Sequence, residues 1–293
     1  MSKTMKNGWY YLAVLLIFGS TWLASKYQLG TVSTLCSVVY RFVIASVILF
    51  ILILLKEKKR PRFNPKEQLV CCIQGLFMFC LNYLMLYKSM EFMSTGLVAV
   101  AFSTVLIFNT FLGALFFKTK LTVFSVVGAF LGFFGVLVVF WPSFTGWNQS
   151  LLWGLFLGGV GGMFASFGNI ASAYGQKLGY SVLHNATYSM AYGVLWTVLV
   201  SVYEGVVWNF DWSLAYVGSL LYLAILGSCV AFYCYLTLLG RLGPAKAAYS
   251  LVFTPVIAII LSCLFEGHQW SPYLLWGLGV LVVGNVLVLK KRS

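Results

Sequence analysis

Long apolar runs alternate along this chain with short polar breaks, and the length of the runs predicts what they form. Ten of them lie near residues 8–27, 33–55, 68–90, 95–117, 122–141, 151–174, 181–203, 213–238, 245–265 and 272–289. The hydrocarbon of a bilayer is roughly 30 Å thick, and an α-helix crosses it in ~20 residues. The runs are continuously apolar rather than alternating at every second residue, so they predict ten spanning helices and not a β-barrel. The longest break, from Lys56 to Glu67, is too short for a soluble domain. One run, "LGPAKAAYSLVFTPVIAII" at 242–260, carries two prolines and a lysine. Pro244 falls at a predicted helix start, where its missing N–H would be unpaired anyway. Pro255 falls mid-run, where a broken hydrogen-bond ladder is tolerated only beside protein or a water-lined cavity. It reads as a hinge or as a static packing kink, and Lys246 as a side chain snorkelling to headgroups.

Composition agrees with a lipid solvent. Hydrophobic residues make up 61% of the chain and charged ones 9%, with a mean hydropathy of +0.94; soluble proteins carry about 25% charged residues. A net charge of +13 would suggest a nucleic-acid partner, but its distribution does not. With the amino terminus inside, the cytoplasmic breaks and ends hold Lys3, Lys6, Lys56, Lys58, Lys59, Arg60, Arg62, Lys66, Lys118, Lys120, Lys177, Arg241, Lys246, Lys290, Lys291 and Arg292. These are sixteen of the nineteen basic residues, leaving Lys26 and Lys88 outside and Arg41 within the second run. That asymmetry is a topology signal placing both termini in the cytoplasm. The first run also has the flanks of a secretory signal, but a weak "WLAS" is its only cleavage-like sequence and nine more runs follow. The seven cysteines are odd in number, form no CxxC pair and all fall in the runs, so neither a disulfide framework nor a metal site is predicted.

Two segments can be laid side by side about 150 residues apart: "MEFMSTGLVAVAFSTVLIF" from Met90 and "LGRLGPAKAAYSLVFTPVI" from Leu239. Each passes through small residues into an apolar helix that pauses halfway, at Ser103-Thr104 and at Thr254-Pro255. "SVVYRF" at 37–42 matches "NATYSM" at 185–190 in position. Five helices is an odd number, so a second copy must cross in the opposite sense. The expected fold is therefore all-α and integral to the membrane, with ten helices in two inverted five-helix units, 1–145 and 146–293, enclosing a central cavity.

The chain resembles the drug/metabolite transporter superfamily, specifically its ten-helix EamA-like permeases. "FGSTWLASKY" at 18–27, "YRF" at 40–42 and "RLGPAKAAYSLVFTPV" at 241–256 carry the resemblance. It implies a multi-pass protein of a prokaryotic-type inner membrane, with helices 1, 3, 4, 8 and 9 around the cavity and no cofactor. One departure stands out. Members commonly carry Gly-Glu after helices 4 and 9, where this chain has Lys118-Thr119 and Gly267-His268, so no role of those carboxylates transfers.

Polar residues at membrane depth are functional leads. Asn82, Tyr83, Asn109 and Asn169 are the clearest, although such amides also join helices. Trp22, Tyr87, Phe102, Tyr233 and Tyr249 form a candidate aromatic wall, on the helix placement that the resemblance implies. Arg41, some eight residues inside its run, reads as a structural group bonded within its own repeat rather than as a substrate contact. Lys88 and Glu91 share a helix face and can pair. None of the six acids, Glu57, Glu67, Glu91, Glu204, Asp211 and Glu266, is predicted mid-span, and His184 is the lone candidate titrating near neutrality. The pattern thus leans to facilitated diffusion or exchange. Glycines at 154, 158 and 162, and at 128 and 132, predict close helix packing.

The function expected is a permease for small organic metabolites working by alternating access. By resemblance alone its cargo is amino acids or related compounds and its direction export or exchange. Drugs, nucleotide-sugars or lipid-linked substrates are the alternative cargo. A membrane-embedded enzyme would need a convergent set of nucleophile, base or metal ligands that two histidines and scattered cysteines do not supply, and a scaffold would leave the duplication without use. The expected partners are the small-molecule substrate and membrane lipids, with no nucleic acid, and the sequence leaves monomer and homodimer equally open.

Overall fold

The computed structural model describes residues 3–57, 64–118, 121–145, 148–251 and 253–288, without the side chains of 3–7, 56–57, 145, 245–246, 248–249 and 288. Among these the protein is entirely helical. In chain order the main helices are α1 Lys3–Lys26, α2 Thr34–Glu57, α3 Pro65–Met90, α4 Thr95–Phe117, α5 Val123–Val139, α6 Gln149–Lys177, α7 Val182–Tyr203, α8 Leu214–Leu242, α9 Thr254–Phe265 and α10 Pro272–Val288. Seven of them are long and apolar enough to cross a membrane, while α5, α9 and α10 are shorter apolar helices. Large apolar side chains cover the outer surface, among them Phe130 at 68% and Trp276 at 74% exposure. In water these would be costly; facing lipid they are not.

Four helices are irregular, in two similar ways. In α3 the segment Gly75–Leu81 widens into π-helical turns, and in α8 the segment Leu223–Val230 does the same. Such turns recur at functional sites because they rotate the following residues and free backbone groups. In α4 the helix breaks at Ser103 and Thr104, whose hydroxyls bond back to the Val100 and Ala101 carbonyls at 2.6 and 2.8 Å. This back-bonding competes with the backbone ladder and bends helices. Before α9 the chain runs through short helical turns, Pro244–Ala247 and Ala248–Leu251, then restarts at Thr254. Ser250 and Thr254 bond back to Ala247 and Leu251 in the same manner, both at 2.7 Å.

Pro255 is therefore not in the middle of a helix, as its place in the apolar run predicts. It occupies the first turn of α9, where the ring clashes with nothing and no N–H is needed. The interruption precedes it, and the predicted run 245–265 is divided.

Glycines set the closest approaches. A Cβ on Gly158 would stand 2.7 Å from that of Ala101, and one on Gly168 2.5 Å from that of Met78, so the glycine face of α6 lies directly on α3 and α4. α5 and α10 pack backbone to backbone, with Gly135 against Leu281 and Gly277, and Gly284 against Gly132. That pair sits at the edge of the bundle. The remaining helices gather around a common centre, α4 against α9 and α6, α1 against α8 and α9, and α2 against α7 and the π-helical part of α8.

Candidate functional site

At that centre lies a partly open cavity of about 80 Å³, lined from α1, α2, α3, α4, α6, α8 and the α9 region. Its walls follow helical spacing. α1 contributes Phe18, Thr21, Trp22 and Ser25, steps of three, one and three, and α3 contributes Met78, Asn82, Leu86 and Met90 at steps of four, with Tyr83 and Tyr87 between them. A second recess of about 440 Å³ lies at the ends of α6, α7 and α8. It is larger but more open and lies at helix ends rather than among the helices.

Six of the residues singled out from sequence as substrate contacts line the central cavity: Trp22, Asn82, Tyr83, Tyr87, Phe102 and Asn169. The Trp22 and Phe102 rings meet at 5.5 Å between centroids, across α1 and α4. Tyr83 packs edge-on to Phe42 at 4.9 Å and near Tyr87 at 6.4 Å. Asn109 stands one layer back, where its Oδ1 accepts from Ser166 Oγ at 2.8 Å and Asn169 Nδ2 at 3.1 Å. Tyr233 does not reach the cavity; it lines the open recess with Thr237 and Arg241, because its neighbours Phe232 and Tyr235 occupy the inward face of α8. The side chain of Tyr249 lies outside the described residues, as does that of Lys246.

Arg41 also lines the cavity, at 3% exposure. The expectation that its partners belong to its own repeat is corrected here. Its Nε donates to Ser228 Oγ on α8 at 2.9 Å, and its guanidinium carbon lies 4.9 Å from the Tyr83 ring centre and 5.4 Å from that of Phe42. The cause is the π-helical segment. Ser228 donates to the Leu223 carbonyl five residues back at 3.0 Å, the spacing of a π turn, and thereby presents its oxygen to α2. Gly227 beside it leaves room, since a Cβ there would come within 3.2 Å of Arg41 Nη2.

Several polar atoms of the lining have no hydrogen-bond partner among the described residues: Asn82 Oδ1, Asn169 Oδ1, and the hydroxyls of Tyr87 and Tyr235. The Tyr235 hydroxyl stands within polar reach of Asn109 and Asn169, but with neither does it form a bond of full hydrogen-bond geometry. Buried polar groups are nearly always satisfied, so these mark a place that something polar completes. Tyr235, Phe18, Thr21 and Ser25 were not singled out from sequence. The i, i+3, i+4, i+7 stripe from Phe18 to Ser25 was the available signal, and for Tyr235 there was none beyond its type.

The polar groups outside the cavity tie helix ends together. Glu266, immediately before the Gly267-His268 pair, accepts from the Thr95 N–H at 3.1 Å, from Thr95 Oγ1 at 3.0 Å and from Ser262 Oγ. It thus caps the start of α4 from the end of α9, where the hydroxyl of Ser94 at the cap position makes no capping bond and lies instead 3.5 Å from His268 Nδ1. All six acids lie at helix ends or between helices. Lys88 and Glu91 are exposed, and no ion pair joins them among the described residues. His184 lies outside the cavity lining. Among the described residues no group of three His, Cys, Asp or Glu gathers to hold a metal ion, and the cysteines are free thiols.

Known proteins share this architecture. The EamA-like transporter family matches the chain twice, over residues 7–141 and 152–290. An uncharacterized transporter of Bacillus subtilis, YoaV, is 28% identical over 287 residues, covering 96% of this chain and 97% of its own. The uncharacterized inner membrane transporter YedA of Escherichia coli is 27% identical, over 94% of this chain and 88% of its own, and Protein PagO of Salmonella typhimurium is 23% identical, over 97% and 92%. A solved crystal structure superposes with a TM-score of 0.72 over 98% of both chains at 17% identity, a likeness of fold alone. With two matches that together span nearly its whole length, this chain belongs to the EamA-like transporter family and is a multi-pass membrane protein.

Proposed function

We propose that the protein is a secondary transporter that moves small organic metabolites, amino acids or related compounds, through the central cavity by alternating access. The observation that carries the reading is the cavity itself: central among the helices, walled by aromatic rings, and holding polar atoms that the protein leaves unpaired. At about 80 Å³ it is narrower than the ~300–1,000 Å³ of drug-sized sites. A small cargo, or one admitted as the helices part, suits it better than a drug or nucleotide-sugar. Trp22, Asn82, Tyr83, Tyr87, Phe102 and Asn169 are the proposed contacts.

The moving parts would be two inverted five-helix units, 1–145 and 146–293. Two paired irregularities support that division. The π-helical segments begin at Gly75 and Leu223, and the hydroxyl-capped breaks fall at Ser103-Thr104 and just before Thr254, each pair separated by about 150 residues. The double family match divides the chain at nearly the same place. The break before Pro255 is the proposed hinge of the second unit, both termini face the cytoplasm, and transport runs as export or exchange. Proteoliposomes loaded with labelled amino acids test this: efflux above that of empty liposomes is expected, and its absence across a broad panel removes the cargo class.

A further inference from the structure

Arg41 is the one charged residue of the cavity lining, and nothing in the described structure neutralises it. A guanidinium stays protonated at any physiological pH. Its Nε is engaged by Ser228, but no acceptor takes a proton from either Nη among the described residues, and no carboxylate pairs with it. The six acids all lie at helix ends or between helices, and none lines the cavity. A charge withdrawn from water and left without a counter-charge is among the least favourable arrangements in a protein interior. Tyr83 and Phe42 offer ring faces to the guanidinium carbon, which lessens the penalty and fixes the plane of the group without supplying a negative charge. Gly227 keeps the space beside Nη2 clear.

Building on the transport reading, we propose that Arg41 is the anion-binding subsite of the cavity and that the cargo is a small monoanionic headgroup on an apolar body, a carboxylate held by the free Nη groups. Two parallel N–H donors match the two oxygens of a carboxylate, the geometry in which arginine binds best. One cation in the lining sets the charge at one. The Trp22–Phe102 and Phe18–Phe232 ring pairs offer an apolar wall to the rest of the molecule, and the unpaired Asn169 Oδ1 and Tyr235 hydroxyl offer acceptors to an amino group where the cargo has one. Arg41 therefore moves from a structural role to a substrate contact, with Ser228 as the residue that positions it.

The purified protein in nanodiscs is challenged with leucine, phenylalanine, isocaproate and hydrocinnamate, each beside its own carboxamide, at constant ionic strength. A ligand that prefers the folded protein raises its apparent unfolding temperature. At least one acid is expected to bind on the order of 10- to 100-fold more tightly than its amide, the worth of a charge-assisted pair. Arg41→Lys retains part of that preference and Arg41→Gln loses it. Amides that stabilise the unaltered protein as well as the acids do, or an Arg41→Gln protein that keeps the preference, overturn the assignment; the first comparison needs no variant to fold. Flux measured on the same compounds separates the two readings. Amides carried as readily as acids remove the anion subsite and leave a transporter, whereas no flux of any compound removes both.

Discussion

Replacing Glu266 with Gln should loosen the junction between α4 and α9 by an amount that a coupling measurement can isolate. The carboxylate accepts from Thr95 N–H, Thr95 Oγ1 and Ser262 Oγ, and it faces the first turn of α4. Hydrogen bonds to a charged group contribute about 1.5–3 kcal/mol each, and a negative charge at a helix start about 0.3–1 kcal/mol. Glu266 is half-buried, so water recovers part of this, and Gln keeps one acceptor oxygen. The net loss expected is about 2 kcal/mol. Thr95→Val removes one of the three donors and should cost about 1 kcal/mol. Because that hydroxyl bond is shared, the double variant should fall short of the sum by roughly 1 kcal/mol, above the few tenths found for independent sites. Thermal unfolding of the four proteins in nanodiscs gives the cycle, with Glu91→Gln, exposed at the end of α3, as the neutral control. An additive double variant, or a Glu266→Gln protein no less stable than the control, would show that the inter-helix cap is not a stabilising contact.

Four other outcomes follow from the same geometry. Lys118 ends α4 with a φ of 52°, a left-handed conformation that suits glycine, so Lys118→Gly should raise stability by about 1 kcal/mol in the same unfolding assay. Gly135→Leu forces a side chain into the α10 backbone and should destabilise by about 3 kcal/mol or more, whereas Gly159→Ala, with nothing within 4 Å, should be neutral or stabilising. Trp22→Ala or Phe102→Ala should weaken binding of any transported compound about tenfold in a thermal-shift titration, while Tyr233→Ala, on the open recess, leaves it unchanged. Burial holds His268 below its ordinary 6.5, with Glu266 opposing. The unfolded chain then takes up the proton first, so stability is full above about pH 6.5 and declines as pH falls toward the lowered value; His268→Gln should flatten that decline in unfolding curves between neutral and mildly acid pH.

Much of the helical pattern was legible because lipid imposes a length: seven of the ten apolar runs coincide, to within a few positions at each end, with helices long and apolar enough to cross a membrane, and the other three fall on shorter apolar helices. One of these three is instructive. The run at 245–265 looks continuous because hydropathy does not register hydroxyls, yet Ser250 and Thr254 bond back to their own carbonyls and divide it. The π-helical turns left no mark either, since Gly75–Leu81 and Leu223–Val230 are as apolar as any helix around them. For the cavity, residue type found Asn82, Tyr83 and Asn169, but type alone could not place Tyr233, one step around α8 from the inward face. Arg41 was conspicuous from the outset as a charge inside a run. Its partner was not, because Ser228 is 187 residues away and meets it only through a local widening of α8.

The place on α7 that corresponds to Arg41, by the alignment of 37–42 with 185–190, is Ser189. A symmetric pair of identical subunits would have to carry two guanidinium groups or none. If the two units are related as proposed, fusing them into one polypeptide lets a single positive pole sit off their shared axis, and a guest held as proposed on Arg41 would have one way round: head toward α2, tail toward the rings.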